Sequence, residues 1–357
     1  MMDIKITLTE DSRVSEVDFN NIPFGKVFSD HMFSADYVNG EWTNFEIKPV
    51  AKMSMHPAMM ALHYGQSIFE GLKASLTKDG TPVLFRPDAH ARRLNASAAR
   101  MCMPAFPEEI FVEAISRLVA IDKAWVPKER GSALYVRPLM FATDEHIGVR
   151  ASEKFKFLII TLPVGPYYSK PVSLLAETTY TRAAQGGAGE AKCAGNYGGA
   201  LYPAMLARQQ GYDQVLWLDA KEFKYVQEVG TMNIFFVIGD QVITPATIGT
   251  ILKGITRDSI IEILRDRGID VDVRRLSIDE IVDAHLAGEL KECFGAGTAA
   301  LVAHVDKIKY KDLIMDLPKS TEISKMVKDE INGLRDGTIL DTRAWIYPVS
   351  VTQDAIA

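Results

Sequence analysis

The sequence predicts an α+β protein of two domains, built from mixed sheets with flanking helices. Three observations lead there. The 357 residues exceed what one typical domain needs. Strand-like and amphipathic helical runs occur throughout, without the regular strand–helix alternation of a parallel α/β fold. The segment Val164-Gly165-Pro166-Tyr167-Tyr168-Ser169-Lys170-Pro171 lacks periodicity and is rich in turn residues. Residues 1–163 are therefore expected as a smaller N-terminal α/β domain, 164–171 as a linker and 172–357 as a larger C-terminal domain.

In chain order, Pro82 to Phe85 reads as a strand. Pro87-Asp88 then opens a helix with Leu94, Ala98 and Met101 on one face. Glu108 to Trp125 reads as an amphipathic helix bounded by Pro107 and Pro127. Leu134 to Phe141 and Phe155 to Leu162 carry the β-branched and aromatic content of strands. Beyond the linker come a strand from Val172 to Ala176 and a glycine-rich loop around Lys192. A helix is expected from Tyr197 to Gln210, kinked by Pro203 and capped by Gly211. Val215–Leu218 with Tyr225–Glu228, and Ile234–Ile238 with Val242–Thr244, have the spacing of two hairpins. Helical periodicity returns at Arg257–Asp266, and Ile278–Ala287 closes the series.

Composition narrows the function classes. Apolar residues make up 47% and charged residues 24%, the usual balance of a globular protein. The net charge of −6 and the lack of a basic stripe argue against nucleic acid as a partner. No apolar run approaches the roughly 20 residues needed to span a bilayer. The N-terminus also lacks a signal-peptide pattern, so a cytoplasmic protein is expected. The three cysteines, Cys102, Cys193 and Cys293, have neither disulfide-framework nor metal-ligand spacing. The seven histidines form no ligand pair, so no metal site is expected.

Lys192 is the leading chemical candidate. It stands in Gly186-Gly187-Ala188-Gly189-Glu190-Ala191-Lys192-Cys193-Ala194-Gly195-Asn196-Tyr197-Gly198-Gly199, where small residues let the backbone approach a ligand. A lysine confined there loses hydration, and its neutral amine attacks carbonyls. The competing reading is a flexible loop whose lysine points into water. Glu228, at the end of a strand, is either an exposed acid or a partner for a protonated pyridine nitrogen. Gly254-Ile255-Thr256-Arg257-Asp258 leads into a helix whose free N–H groups suit a phosphate, although many helices begin this way merely as a cap. Arg93 is placed to add charge to the same phosphate, whereas Arg92 and Arg100 read as solvated. Gly295-Ala296-Gly297-Thr298-Ala299-Ala300 is a second small-residue segment, an anion cradle or an ordinary tight turn. Tyr135 and Arg137 share a strand face, which suits carboxylate recognition and equally a buried ion pair. Cys193 reads as a small buried filler beside the lysine. Together these groups match the needs of a phosphate-bearing aromatic aldehyde.

Five blocks carry a resemblance. They are His63-Tyr64-Gly65 with Phe69-Glu70-Gly71-Leu72-Lys73-Ala74, Leu134-Tyr135-Val136-Arg137-Pro138, Gly195-Asn196-Tyr197-Gly198, Glu228-Val229-Gly230-Thr231-Met232-Asn233, and Phe294-Gly295-Ala296-Gly297-Thr298-Ala299. In order and spacing they resemble the branched-chain amino-acid aminotransferases, class IV enzymes of the D-amino-acid-aminotransferase-like, fold type IV group that use pyridoxal 5′-phosphate. The likeness runs from about Phe24 to Val349.

The resemblance implies that Lys192 holds the cofactor covalently and then shuttles the substrate proton. Tyr197 would bond the cofactor's phenolic oxygen, Glu228 its ring nitrogen, and Thr231 would stand beside it. Arg93, Thr298 and the backbone N–H groups of Ile255 and Thr256 would hold the phosphate. Thr298 and Ala299 would present N–H groups to the substrate α-carboxylate, near Tyr64. Phe24, Phe69, Tyr135 and Tyr167 would wall the side-chain pocket, and Arg137 would receive the distal carboxylate of glutamate. Val149 would serve the neighbouring subunit of a homodimer. The implied reaction is ping-pong transfer of the amino group of L-leucine, L-isoleucine or L-valine to 2-oxoglutarate. Where some animal relatives carry a Cys-x-x-Cys pair, this chain has Ala300 and Ala303, so no thiol switch is expected. A D-amino-acid aminotransferase or an aminodeoxychorismate lyase of the same fold is the alternative, and a non-catalytic ligand-binding relative a more distant one.

Overall fold

The computed structural model describes residues 4–168 and 170–351; Ser169 of the expected linker and residues 352–357 lie outside them. The chain divides into two compact units. One comprises the residues up to Tyr167, Ala191–Ala194 and those from Ile331 onward; the other comprises Tyr168–Glu190 and Gly195–Glu330.

The first unit is built on a nine-stranded sheet. Its order is Lys5–Ile6, Glu41–Pro49, His31–Val38, Phe155–Val164, Ala133–Ala142, Leu72–Leu76, Pro82–Phe85 and Ile346–Pro348, with Ser67–Phe69 also pairing with Ala133–Ala142. The long antiparallel ladder between Ala133–Ala142 and Phe155–Val164 runs through its middle. Phe33, Phe106, Phe111 and Phe157 are fully buried on one face, with Phe106 stacked on Phe157 at 4.0 Å. Each such ring contributes about 1.5–3 kcal/mol by leaving water. The helices Pro87–Arg100 and Glu108–Ile121 pack against one another. Pro87 stands at the first helical position, where its missing N–H costs no hydrogen bond.

The second unit has its own nine-stranded sheet. The order is Val226–Val229, Gln214–Leu218, Val172–Ala176, Leu301–Tyr310, Leu290–Gly297, Asn233–Ile238, Gln241–Pro245 and Val271–Arg274, with Leu313–Asp316 added along Leu301–Tyr310. Both expected hairpins form antiparallel pairs. Asp219 closes the first by accepting the N–H groups of Lys221, Glu222, Lys224 and Tyr225. Parallel and antiparallel pairing coexist in both sheets, as α+β with mixed sheets requires. Among the described residues no helix is long and apolar enough to cross a membrane.

Three expectations change. The C-terminal portion is not all of one unit: Ile346–Pro348 pairs with Pro82–Phe85, and Cys193 bridges to Ile68, so both join the first sheet. The helix from Glu108 stops at Ile121, where the Asp122 carboxylate turns onto the His31 backbone N–H (3.0 Å) and ring (2.7 Å). Lys123–Trp125 continues as a single 3₁₀ turn. Finally, Pro203 does not kink a long helix. The helix breaks earlier, at Gly199–Ala200, and Pro203 falls in the first turn of Leu201–Gln209, where an N–H has no helical partner to lose. Gly211 does take the left-handed conformation after it, at φ +84°.

Phe157→Ala removes the ring on which Phe33, Phe106 and Phe111 converge. The expected loss is about 3–5 kcal/mol of unfolding free energy in urea titration. A loss below about 1 kcal/mol is incompatible with this packing.

Candidate active site

Lys192 is fixed by its backbone. Its carbonyl accepts the Phe69 N–H at 3.0 Å, extending the pairing of Ser67–Phe69 by one short segment. Its own N–H donates to Ser97 Oγ at 2.9 Å, from the helix Pro87–Arg100. The flexible-loop reading is therefore set aside. The side chain is half-buried, with Nζ 4.7 Å from the centre of the Phe69 ring. Burial, and then the Arg93 and Arg137 guanidinium groups, push its pKa down to about 8 against the opposing pull of Glu70 and Tyr135. A substantial neutral fraction near pH 8 makes the amine a nucleophile. Cys193 is buried, as a packing residue should be.

Glu70 organises the ground around it, and the sequence did not disclose its role. Its carboxylate is fully buried and accepts Arg93 Nε (2.7 Å), Arg93 Nη2 (2.8 Å), His90 Nδ1 (2.7 Å) and the Gly71 N–H (3.1 Å). Burial disfavours its charge, but Arg93 and His90 outweigh that and hold the carboxyl well below the usual range. Burial conversely lowers the His90 pKa, so at neutral pH the ring is uncharged and Nδ1 donates. Arg93, expected at the phosphate, is thus oriented by a bidentate pair. His90 and Arg93 lie three residues apart on one helix face. Nothing in the sequence marked the carboxylate they share, twenty and twenty-three residues earlier.

Three of the residues expected to wall a side-chain pocket lie together. Phe24 meets Tyr135 and Tyr167 edge-on, at 5.9 and 4.9 Å. Arg137 donates from Nη2 to Tyr135 Oη at 3.1 Å and lies 4.7 Å over Phe69 and 5.2 Å over Tyr135. Its Nε is buried with no hydrogen-bond partner, and among the described residues no carboxylate pairs with it. The structural ion pair allowed by the sequence is absent there. Gly71 is required by this wall, since a Cβ would collide with Tyr135 Oη. Tyr64 ends the short helix Met60–Tyr64 and is exposed, as is Val149, at 90%.

The second unit carries the other candidates. Glu228 is 4% exposed, not a solvated strand-end acid. It accepts the Leu252 N–H at 2.7 Å and lies 3.3 Å from Arg182 Nε, two partners that complement a negative charge. Arg182 is itself set by the Gly189 and Thr250 carbonyls, and it too went unnoticed in the sequence. Gly254 precedes the helix Ile255–Asp266 and, among the described residues, no side-chain hydrogen bond caps this end, which leaves the first-turn N–H groups of Ile255 and Thr256 open. A Cβ on Gly254 would collide with Asn233 Oδ1. Tyr197 lies in the five-residue helix Ala194–Gly198 and is half-buried. Thr231 is exposed beside Gly230, which has φ +54°.

Gly295 and Gly297 are in the strand Leu290–Gly297, not in a loop. The Met232 side chain lies across both, 2.8 and 3.2 Å from where a Cβ would stand. Thr298, Ala299 and Ala300 alone make the turn, and all are half-buried.

A family model described as amino-transferase class IV matches residues 67–308. The chain belongs to that family. It is 43% identical to branched-chain-amino-acid aminotransferase 2 of Bacillus subtilis (strain 168), over 99% of this chain and 98% of that one. Among solved structures it resembles the branched-chain amino acid aminotransferase of Escherichia coli, with TM-score 0.75 and 26% identity over 90% of this chain and 99% of that one. It also resembles the branched-chain amino acid aminotransferase of T.th. complexed with N-(5′-phosphopyridoxyl)-L-glutamate, with TM-score 0.72 and 26% identity, covering 88% of this chain and 98% of the other. The α+β fold read from the sequence is that of the family.

Class IV aminotransferases work with pyridoxal phosphate, and this lysine can be tested apart from it. In cofactor-free protein, reductive methylation of Lys192 by formaldehyde should be half-maximal near pH 8, because below that pH the amine is protonated. An ordinary lysine titrates near 10.4. Between the two values the unfolded chain binds the extra proton, so this group adds stability as pH rises through that window. A labelling midpoint of about 10 or higher contradicts the described burial.

Proposed function

We propose that this family member is a branched-chain amino-acid aminotransferase, transferring the amino group of L-leucine, L-isoleucine or L-valine to 2-oxoglutarate by a ping-pong route. The observation that carries this is the Lys192 amine, lowered in pKa, over the same Phe69 ring that Arg137 covers. The relatives named above, alike over nearly their whole length, support the substrate class.

The residues present fit pyridoxal phosphate. A depressed lysine suits the aldehyde, the buried Glu228 carboxylate suits a pyridinium nitrogen, and uncapped N–H groups at Ile255 and Thr256 suit a phosphate. When bound, the cofactor supplies the electron sink that makes the substrate Cα–H acidic. Lys192 would hold it, Tyr197 its phenolic oxygen, Thr231 would stand beside Glu228, and Arg93 and Thr298 would share the phosphate.

The chain's own groups then do the rest. Lys192 would hold the cofactor at rest and, once freed, act as acid–base: its neutral amine would take the proton from the substrate Cα and, as the ammonium, give it up again. Glu70 keeps Arg93 turned so that its charge depresses the lysine without competing for its place. Thr298 and Ala299 would direct N–H groups at the α-carboxylate, near Tyr64. Phe24, Phe69, Tyr135 and Tyr167 exclude water from a branched alkyl group. Arg137, stacked on two of those rings, accepts the distal carboxylate of 2-oxoglutarate in the same pocket. One pocket thereby serves an apolar and an acidic side chain. We place the enzyme in the cytoplasm as a homodimer in which the exposed Val149 reaches the site of the partner.

The test is spectroscopic. Purified holoenzyme should show a visible band from lysine-bound cofactor that L-leucine bleaches and 2-oxoglutarate restores, with neither change in Lys192→Ala. Bleaching by D-alanine but not by L-leucine overturns the assignment. Separately, Arg137→Met should raise KM for 2-oxoglutarate about tenfold or more, the loss of a charge-assisted hydrogen bond. KM for L-leucine should change far less. Equal effects on both substrates would remove Arg137 from the carboxylate role.

A further inference from the structure

The first unit contains a second cleft, apart from the groups gathered around Lys192. It has a volume of about 400 Å³ and is lined by Ser75, Lys78, Lys128, Arg130, Arg335 and Asp336, among others. Arg335, the last residue of the helix Glu322–Arg335, is only 5% exposed. Its Nη2 donates to Ser75 Oγ at 2.5 Å and its Nη1 to Asn332 Oδ1 at a long 3.4 Å. Its Nε is buried without any hydrogen-bond partner. Among the described residues no carboxylate forms an ion pair with Arg335, Lys78 or Lys128. Asp336 pairs with Arg130 Nε at 3.1 Å and accepts the Thr338 hydroxyl at 2.6 Å, and its charge reaches Arg335 only through space.

A guanidinium out of water with no carboxylate bonded to it is costly, because the interior only partly replaces the lost hydration. Burial pushes the Arg335 pKa down to about 10, which still leaves it charged at neutral pH. The cleft walls hold four cationic side chains, Lys78, Lys128, Arg130 and Arg335, against two acidic ones, Glu129 and Asp336. An excess of two positive charges around a cavity suits a dianion. Ser75, whose oxygen already accepts from Arg335, retains its O–H to donate. The volume is at the small end of the range for small-molecule sites, about 300–1,000 Å³.

We propose that this cleft is a second anion site of the enzyme, binding a phosphate group between Arg335, Lys78, Lys128 and the Ser75 hydroxyl. The occupant is inorganic phosphate or a phosphomonoester of a few carbon atoms. Arg335 grips it from below with a fixed guanidinium, and the two exposed lysines close on it from solvent.

The experiment uses protein saturated with pyridoxal phosphate, so that the cofactor's own phosphate contacts are already made. Inorganic phosphate, and in a second arm glycerol 3-phosphate, is titrated calorimetrically at ionic strength held constant with chloride. Saturable binding of at least one is expected, weakened about tenfold in Lys128→Gln by loss of one charge-assisted contact and further in the Lys78→Gln, Lys128→Gln double variant. Tighter binding of the ester identifies a phosphorylated metabolite; equal affinity identifies free phosphate. Arg335→Met should abolish binding and, without phosphate, raise Tm by removing the unpartnered charge. Should Arg335→Met fail to fold, the two lysine variants decide alone. Absence of saturable binding in the parent protein overturns the proposal. So does equal affinity in the parent and the double-lysine variant.

Discussion

A carboxylate removed from water costs several kcal/mol unless charges and hydrogen bonds replace its hydration. Glu70 is wholly removed. Its partners, a bidentate guanidinium, an imidazole and a backbone N–H, are supplied by the helix Pro87–Arg100 and by Gly71. That one group therefore ties the segment after Ser67–Phe69 to the helix that also anchors the Lys192 backbone through Ser97. Removing it would strand Arg93 and His90 together in a dry interior. The orientation of Arg93 and the field at Lys192 both depend on this charge.

The same arrangement sets the lysine's reactivity. A cation at Lys192 is opposed by burial and by two guanidinium groups and favoured by Glu70, and the opposition prevails. Had Arg93 faced the lysine without Glu70 between them in the balance, repulsion would be stronger; had Glu70 stood alone, it would have fixed the amine as ammonium. The paired arrangement leaves a moderate shift, which keeps a neutral fraction of the amine near physiological pH alongside the protonated form. Arg137 takes part in the same balance while stacked on Phe69 and Tyr135. Its place over aromatic faces lets one pocket offer both apolar surface and a cation.

Much of this was legible in the chain. The hairpins at 214–229 and 233–245, the strands at 133–142 and 155–164, and the helix from Pro87 follow from period and turn residues. Tyr135 and Arg137 share a face because strand side chains alternate, and the structure joins them at 3.1 Å. Other features resisted reading. The glycines of Gly295-Ala296-Gly297 suggest a loop, yet they are strand residues kept small by Met232, sixty-odd positions earlier. Pro203 suggests a kink, yet the helix had already broken before it. Glu70, Arg182 and Arg335 carry no local signature, since what distinguishes them is a partner, or the lack of one, far along the chain.

The sequence by itself determined the class of the protein: α+β, a lysine set among small residues, and the family whose motifs it repeats. Periodicity, turn chemistry and residue type are local properties, and local properties survive in one dimension. Tertiary structure alone decided the electrostatics. Which carboxylate balances Arg93, that Glu228 is buried rather than exposed, and that among the described residues no carboxylate pairs with Arg335 all depend on distances between groups in space. Charge interactions act through space and through the local dielectric, and neither is written in the order of residues.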